Sequence, residues 1–341
     1  MAHDITEIRP TAEGGGAPFK GAAFRKGHIV REDDVCRLQR LGKENLFILE
    51  LKDGEMHEDA AAYELAAALM GEGVEMQGEP REGKINLVAS RDGLLKVDKE
   101  ALCAFNMLGE VMCATLHDST VVRKGRVVAG TRAIPLVIER DLVERAVSAA
   151  GAAGGVVSVR EMRRPRAGVV ITGNEVYYGR IKDAFAPIIE KKVLDSGGEV
   201  VGVHFAPDDR AAIRQSLERL LSAGADLLIT TGGMSVDPDD VTRFAIRELG
   251  AEGLTYGSPV LPGAMFLVAH LVRGSNGSLR EIPVLGIPAC GMYHGATVFD
   301  LVLPRILAGE KIGRRELAEL GHGGLCLHCK ECRYPVCPFG K

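Results

Sequence analysis

The 341-residue sequence contains no Trp, and only 5% of its residues are aromatic. Its cores must therefore be built from Ala, Val, Leu and Ile, which the hydrophobic fraction of 46% supplies. No window holds eighteen uninterrupted apolar residues, so no membrane-spanning helix is predicted. The N-terminus lacks a basic segment followed by an apolar stretch, which argues against a signal peptide. A soluble, cytoplasmic protein is the expectation.

An excess of positive charge is also missing. The chain has 42 basic and 46 acidic residues and a net charge of −4, so the composition gives no indication of nucleic-acid binding. The short basic run Arg163–Arg166 is interpreted as a solvated linker. At about 150 residues per domain, two or three domains are expected.

Strand-like and helix-like segments alternate regularly only after this basic run. The pattern predicts an α/β domain with a doubly wound, mostly parallel sheet at residues 166–312. A β-rich module at 1–52 and a mixed α+β region at 53–165 precede it, and a Cys-rich tail at 313–341 follows. Within the domain, Ala264–Val272 and Ile282–Leu285 are expected to be antiparallel or edge strands.

One loop carries the clearest chemistry. The apolar strand Ala225–Ile229 is followed by a Gly232-Gly233 pair and then by Asp237, Asp239 and Asp240. A strand, a glycine turn and a helix in this order place backbone N–H groups where anions bind. Carboxylates beside a phosphate indicate a divalent cation between them. The alternative is a solvated loop whose aspartates cap the next helix.

Residues 166–310 resemble the molybdopterin-binding domain shared by molybdopterin adenylyltransferases (the Mog type) and molybdopterin molybdotransferases (the Moe A and gephyrin E type). The matching pieces occur in family order and spacing: Thr172-Gly173-Asn174-Glu175, Pro207-Asp208-Asp209, Thr231-Gly232-Gly233-Met234-Ser235 with Asp240-Val241-Thr242, Pro262-Gly263, and Gly286-Ile287-Pro288. The molybdotransferases also place a β-rich region and a mixed domain ahead of this domain.

The resemblance implies roles for these residues. Gly232, Gly233 and Ser235 match the turn that holds the pterin phosphate. Asp208 and Asp240 match positions associated with Mg²⁺-dependent adenylyl transfer from ATP, and Asp237 is a further candidate for Mg²⁺. The remaining predicted contacts with the cofactor are Gly173, Asn174, Glu175, Thr231, Pro262, Gly263 and Pro288. Domains of this family form dimers or trimers, so a homo-oligomer is expected.

Two departures from the family touch the predicted site. Asn174 stands where the molybdotransferases usually have Asp, and Cys290 lies in a loop where they commonly have Pro-Gly-Asn-Pro. Both departures favour a protein that binds the cofactor over one that catalyses a reaction on it. The sequence therefore predicts a protein that binds molybdopterin, or its adenylylated form, in molybdenum or tungsten cofactor biosynthesis, by adenylyl transfer or metal insertion. The alternatives are a cofactor carrier for a molybdo- or tungstoenzyme, and a nucleotide pyrophosphatase like the CinA-type domain.

The tail contains half of the eight cysteines within twelve residues, as Cys326-x2-Cys329-x2-Cys332-x4-Cys337-Pro338. Four thiolates so close together can bind Zn²⁺ or a [4Fe–4S] cluster. The spacing is near that of bacterial ferredoxins, with a last gap one residue longer, and it slightly favours a cluster over zinc. The alternative is a set of reduced thiols on a disordered tail.

Overall fold

The computed structural model describes residues 5–9, 19–24, 28–46, 51–151, 154–234, 240–275 and 278–341. The chain separates into two compact units. The first comprises Met1–Arg91, Lys96–Leu116 and Val122–Val159, and the second comprises Asp92–Leu95, His117–Val121 and Arg160–Lys341. No helix in the described ranges is both long and apolar enough to cross a bilayer.

The first part of the chain alternates short strands and helices, ending with a strand that reaches the start of the second unit. The elements are β1 Ile5–Arg9, β2 Phe19–Phe24, a 3₁₀ turn Glu32–Asp34, α1 Val35–Arg40, β3 Glu55–His57, α2 Glu58–Leu69, β4 Val74–Arg81, β5 Lys84–Ala89, β6 Gly93–Val97, α3 Lys99–Asn106, β7 Val111–Thr115, β8 Val121–Val122, β9 Val127–Ala133, β10 Val137–Glu139, α4 Arg140–Gly151 and β11 Val157–Arg160.

The first unit is organised by α2 and an antiparallel sheet with the strand order β4-β5-β9-β7. The His57 side chain accepts a hydrogen bond from the Asp59 N–H and so caps the start of α2. The apolar face of α2 is buried, with Ala62 and Leu65 fully inaccessible, and the helix packs against α4 and β9. The apolar run Asn45–Leu51 predicts a further strand, but residues 47–50 lie outside the described residues.

The second unit is built on one mixed sheet. Its elements are β12 Arg166–Thr172, α5 Asn174–Tyr177, α6 Phe185–Asp195, β13 Glu199–Ala206, α7 Arg210–Ser222, β14 Leu227–Thr231, α8 Thr242–Glu248, β15 Glu252–Tyr256, β16 Leu267–Ser275, β17 Ser278–Ile287, a 3₁₀ turn Ala289–Met292, α9 Val298–Leu307 and α10 Arg314–Glu319. The strand order is β13-β12-β14-β17-β16-β15.

Strands β12, β13, β14 and β17 run parallel, and β16 is antiparallel to both of its neighbours. All five residues of β14 are buried because helices cover both faces of the sheet. One face packs on α6 and α9, with Ile171 and Leu285 in that core, and the other packs on α7 and α8, with Val170 and Leu228. The predicted α/β fold is confirmed.

Two expectations about the second unit need qualification. The antiparallel alternative for Ala264–Val272 and Ile282–Leu285 is confirmed where β16 pairs with β17, but β17 is not an edge strand, because it lies inside the sheet and also pairs in parallel with β14. The sequence also predicts a last helix over roughly Tyr293–Leu307, but α9 begins only at Val298. The Thr297 side chain accepts a hydrogen bond from Phe299 N–H, and the Asp300 carboxylate accepts one from Thr297 N–H, which fixes the helix start there.

The basic run before β12 is also not simply a solvated linker. The Arg163 guanidinium donates to the buried Asp226 carboxylate at 2.6 Å, and Arg280 donates to the other carboxylate oxygen at 2.9 Å. The same carboxylate accepts the Arg166 backbone N–H at 2.9 Å. Asp226 therefore ties the chain before β12 to the start of β14.

Candidate functional site

The carboxyl ends of the four parallel strands meet at one edge of the sheet. Ile171 of β12 pairs with Thr231 of β14, which in turn pairs with Ile287 of β17. The chain leaves β12 to form β13 on one side and later β14 on the other. In doubly wound folds, ligands bind at this kind of switch point, outside the carboxyl ends of the strands.

The Gly232-Gly233 turn is packed tightly against this edge. Both glycines have positive φ angles, 82° and 59°. A Cβ at Gly232 would overlap the Thr172 carbonyl oxygen, and a Cβ at Gly233 would overlap the Thr242 hydroxyl. The Thr172 hydroxyl donates to the Thr231 carbonyl at 3.0 Å and lies 3.2 Å from the Thr242 hydroxyl. Glycine is therefore required at both positions by conformation and by space.

The exit of the turn is also anchored. The Tyr256 hydroxyl donates to the Met234 carbonyl oxygen. The Met234 side chain is buried and lies where Gly286 of β17 leaves room for it. The next five residues, 235–239, lie outside the described part, so the predicted roles of Ser235 and Asp237 remain predictions.

Asn174 and Asp208 bind each other across two loops. The Asn174 backbone N–H donates to the Asp208 carboxylate at 2.9 Å, and the Asp208 N–H donates to the Asn174 side-chain oxygen at 3.3 Å. These reciprocal bonds join the loop after β12 to the loop after β13. The next residue, Asp209, caps α7 by accepting the Ala212 N–H at 2.9 Å.

A pocket of about 710 Å³ opens at this edge of the sheet, a volume within the range of small-molecule sites, roughly 300–1,000 Å³. Its wall is mostly apolar and includes Ile171, Val176, Ile181, Phe185, Met234, Leu261, Met265, Met292 and Leu325. A few polar groups interrupt this wall: Thr172, Glu175, Lys182, Asp183, Asp240, Cys290 and His328.

The pocket brings together a large part of the predicted site. The predicted residues that line it are Glu175, Gly232, Gly233, Asp240, Pro262, Gly263 and Pro288. Four further predicted site residues are described and support the same loops, but they do not line the pocket: Gly173, Asn174, Thr231 and Asp208. The structure therefore places Glu175 and Asp240 among the lining residues of the pocket.

Two charged groups at the pocket were not predicted. Lys182 is exposed at its rim, and Asp183 accepts hydrogen bonds from the Phe185 and Ala186 N–H groups at 2.9 Å each. Asp183 thus caps α6, and an Asp two residues before an apolar helix could have indicated this cap. No pattern in the sequence indicated that Lys182 would lie at the pocket.

Cys290 lies at the pocket, as its loop predicted. It is partly buried, and burial raises the pKa of its thiol, because the thiolate would lose hydration. The thiol is therefore protonated near neutral pH.

The tail also contributes to this site, because Leu325 and His328 line the pocket. The four tail cysteines line a second cavity of about 250 Å³, together with His294 and His328. His328 lines both cavities. As the side chains stand, no three His, Cys, Asp or Glu residues in the described ranges converge on a point that could hold a metal ion.

Residues 168–308 match the family described as "Probable molybdopterin binding domain". This segment is a member of that domain family. Residues 1–50 match a domain family of unknown function.

Curated relatives match only a short stretch of the chain. A CinA-like protein from Mycobacterium sp. (strain MCS) is 39% identical over 89 residues, which are 25% of this chain and 21% of that protein. A CinA-like protein from Mycobacterium tuberculosis is 38% identical over the same length. The chain thus spans about a fifth of the length of these relatives.

Solved structures that resemble the molybdopterin-binding domain include the tungsten cofactor synthesizing protein MoaB from Pyrococcus furiosus. It is 19% identical, covers 43% of this chain and 97% of its own, and has a TM-score of 0.35. The molybdopterin biosynthesis enzyme MoaB from Thermus thermophilus is 22% identical, covers 43% of this chain and 98% of its own, and has a TM-score of 0.34.

Proposed function

We propose that this chain binds molybdopterin, or its adenylylated form, in the biosynthesis of the molybdenum or tungsten cofactor. The supporting observation is that a glycine turn, three carboxylate residues and an apolar wall share one pocket. Backbone N–H groups of a glycine turn suit a phosphate, and an apolar wall suits a flat heterocycle such as a pterin. Membership of residues 168–308 in the molybdopterin-binding domain family agrees with this choice of ligand.

The proposed reaction is adenylyl transfer. A phosphate oxygen of molybdopterin attacks the α-phosphorus of ATP, the bond from that phosphorus to the bridging oxygen breaks, and pyrophosphate leaves. The N–H groups of Gly232 and Gly233 would hold the phosphate, and Lys182 adds a positive charge at the rim of the pocket. A bound Mg²⁺ would neutralise the charge that builds on the phosphates.

Glu175 and Asp240 are the best candidates for binding Mg²⁺ among the described carboxylates. Both line the pocket. The Asp183 carboxylate also lies there but accepts the two N–H groups at the start of α6, and the Asp208 carboxylate accepts the Asn174 N–H between two supporting loops. Carboxylate oxygens together with phosphate oxygens form the ligand set that Mg²⁺ prefers. We therefore assign Asp208 to positioning the loops and Asp240 to the metal.

The test is pyrophosphate release by the full chain with molybdopterin, ATP and Mg²⁺. We expect Asp240→Asn to remove turnover while the thermal unfolding midpoint stays unchanged. The matched control is Asp195→Asn, because Asp195 is an exposed carboxylate at the end of α6 that pairs with Lys191 and does not line the pocket. Equal activity in Asp240→Asn and wild type would refute the Mg²⁺ assignment.

Nucleotide pyrophosphatase activity is a second candidate. It is favoured by the 39% identity over 89 residues with CinA-like proteins. Hydrolysis of ADP-ribose by the full chain, in the absence of molybdopterin, would support it. If the chain hydrolyses no nucleotide but retains molybdopterin without ATP, a carrier function would be supported instead.

Metal insertion, delivery to a molybdo- or tungstoenzyme, and assembly into a homo-oligomer are further parts of the proposal. They follow from the resemblance to the molybdotransferases rather than from the pocket. Co-purification of molybdenum or tungsten with the chain would test metal insertion, and the mass of the protein in solution would test assembly into a homo-oligomer.

A further inference from the structure

The Cys-rich tail is packed onto the molybdopterin-binding domain by backbone hydrogen bonds and by a buried aromatic side chain. The Leu261 N–H donates to the Gly324 carbonyl and the Cys326 N–H donates to the Leu261 carbonyl, both at 2.8 Å. Near the end of the tail, Phe339 is 3% exposed and belongs to the core shared with α6 and α9. The tail is therefore held at both of its ends, and its cysteines have a defined place on the domain.

Between these two anchors the backbone bends around a cavity. The Gly340 N–H donates to the Gly323 carbonyl at 2.9 Å, which closes the segment into a loop. The Tyr334 hydroxyl donates to the Asp300 carbonyl at 3.2 Å and fixes the middle of the loop against α9. The loop thus encloses a volume without burying an apolar core of its own.

All four tail cysteines line that cavity, and the other four cysteines of the chain do not. None of the four is in a disulfide; Cys329 and Cys332 are exposed, and Cys326 and Cys337 are half-buried. The cavity of about 250 Å³ is several times the volume of one water molecule, about 30 Å³ in the liquid. It is therefore large enough for a metal ion or a small cluster.

We propose that Cys326, Cys329, Cys332 and Cys337 hold one thiolate-bound metal centre in this cavity. Four thiolates are the complete ligand set of a structural Zn²⁺ site and of a [4Fe–4S] cluster. The four side chains line the cavity without converging on one point, so the proposal requires the exposed Cys329 and Cys332 side chains to rotate when the metal binds. Each thiol releases a proton as it binds the metal.

This centre would lie directly beside the ligand pocket. His328 lines both cavities, and its ring centroid lies 5.2 Å from that of His294. Leu325, next to the first cysteine, also lines the ligand pocket. Metal binding here does not depend on the proposed function, but it would place a metal centre at the wall of the molybdopterin site.

The test is the metal content of the full chain after anaerobic purification. We expect about one centre per chain, either one equivalent of zinc without visible absorbance or about four equivalents of iron with it. The double variant Cys329→Ser and Cys332→Ser should lose the metal. The matched control, Cys36→Ser and Cys103→Ser, replaces two exposed cysteines of the first unit and should keep it.

A second measurement does not require a folded variant. Titration of native thiols before and after removal of the metal by a chelator should expose four additional thiols. Absence of stoichiometric metal from wild type, or metal that survives the Cys329 and Cys332 double substitution, would overturn the proposal. Failure of molybdopterin binding would not affect these readouts, so the two proposals fail separately.

Discussion

The glycine turn at the pocket offers the sharpest test of how local geometry supports the site. Ala at Gly233 must adopt a φ near 59° and place a Cβ on the Thr242 hydroxyl. The left-handed conformation costs a non-glycine residue about 1–2 kcal/mol. Overpacking a tight site costs about 1–3 kcal/mol more. We therefore expect Gly233→Ala to lower the free energy of unfolding of the second unit by about 2–5 kcal/mol.

A matched glycine separates the two contributions. Gly179 has a φ of 69° and no atom within 4 Å of an added Cβ. Gly179→Ala should therefore cost only the conformational part, about 1–2 kcal/mol. Urea unfolding followed by far-ultraviolet circular dichroism measures both, because the chain has no Trp for fluorescence.

The overlap itself can be tested with a double-mutant cycle. Thr242→Ala alone removes the hydroxyl contact with Thr172, which we expect to cost about 0.5–1.5 kcal/mol. In the Gly233→Ala, Thr242→Ala double variant the overlap with the hydroxyl is gone, and the nearest remaining atoms are the Thr242 Cβ at 3.2 Å and the Thr172 hydroxyl at 3.3 Å. The double variant should therefore be about 1–3 kcal/mol more stable than the sum of the single effects predicts. Additive effects would refute the reasoning, because the Cβ would then not meet the Thr242 hydroxyl.

Three further predictions concern other parts of the chain. Burial raises the pKa of the Cys113 thiol to about 12, so the unfolded chain loses this proton at a lower pH than the folded chain. The free energy of unfolding should therefore fall by up to about 1.4 kcal/mol per pH unit above pH 9. Urea unfolding over a pH series measures this fall, and Cys113→Ala should remove it. Asp226→Ala should lower the free energy of unfolding of the second unit by about 2–3 kcal/mol, because Arg163 and Arg280 lose their shared buried partner. Urea unfolding measures this loss, and no change would mean that water replaces the carboxylate without cost. Phe339→Ala removes the core anchor of the tail, so limited trypsin digestion should release the tail faster than in wild type, and equal rates would show that the tail is held by other contacts.

Much of the second unit could be predicted from its sequence. Alternation of buried strands and amphipathic helices is a local pattern, so the α/β fold class was predicted. Pro187 is compatible with α6 because it lies in the first turn of that helix. The placement of β17 inside the sheet was missed, because strand order depends on contacts between distant segments.

The candidate site was predicted in part for the same reason. Motifs at strand ends indicated which loops meet, and Glu175 and Asp240 do line the pocket. The sequence alone could not distinguish Asp208 from these carboxylates, since its pairing with Asn174 joins segments 34 residues apart. It also gave no indication of Lys182 or His328 at the pocket.

By itself, the sequence determined the α/β class of residues 166–312, the glycine turn at Gly232 and the clustering of cysteines in the tail. These features depend on hydrophobic periodicity, on the residues of a turn and on cysteine spacing, and all three are local properties of the sequence. Only the tertiary structure decided which carboxylates face the pocket and where the tail lies. The burial of Phe339 and the pairing of Leu261 with Gly324 place the cysteines beside the ligand pocket. Those contacts form between residues far apart in sequence, so no local pattern specifies them.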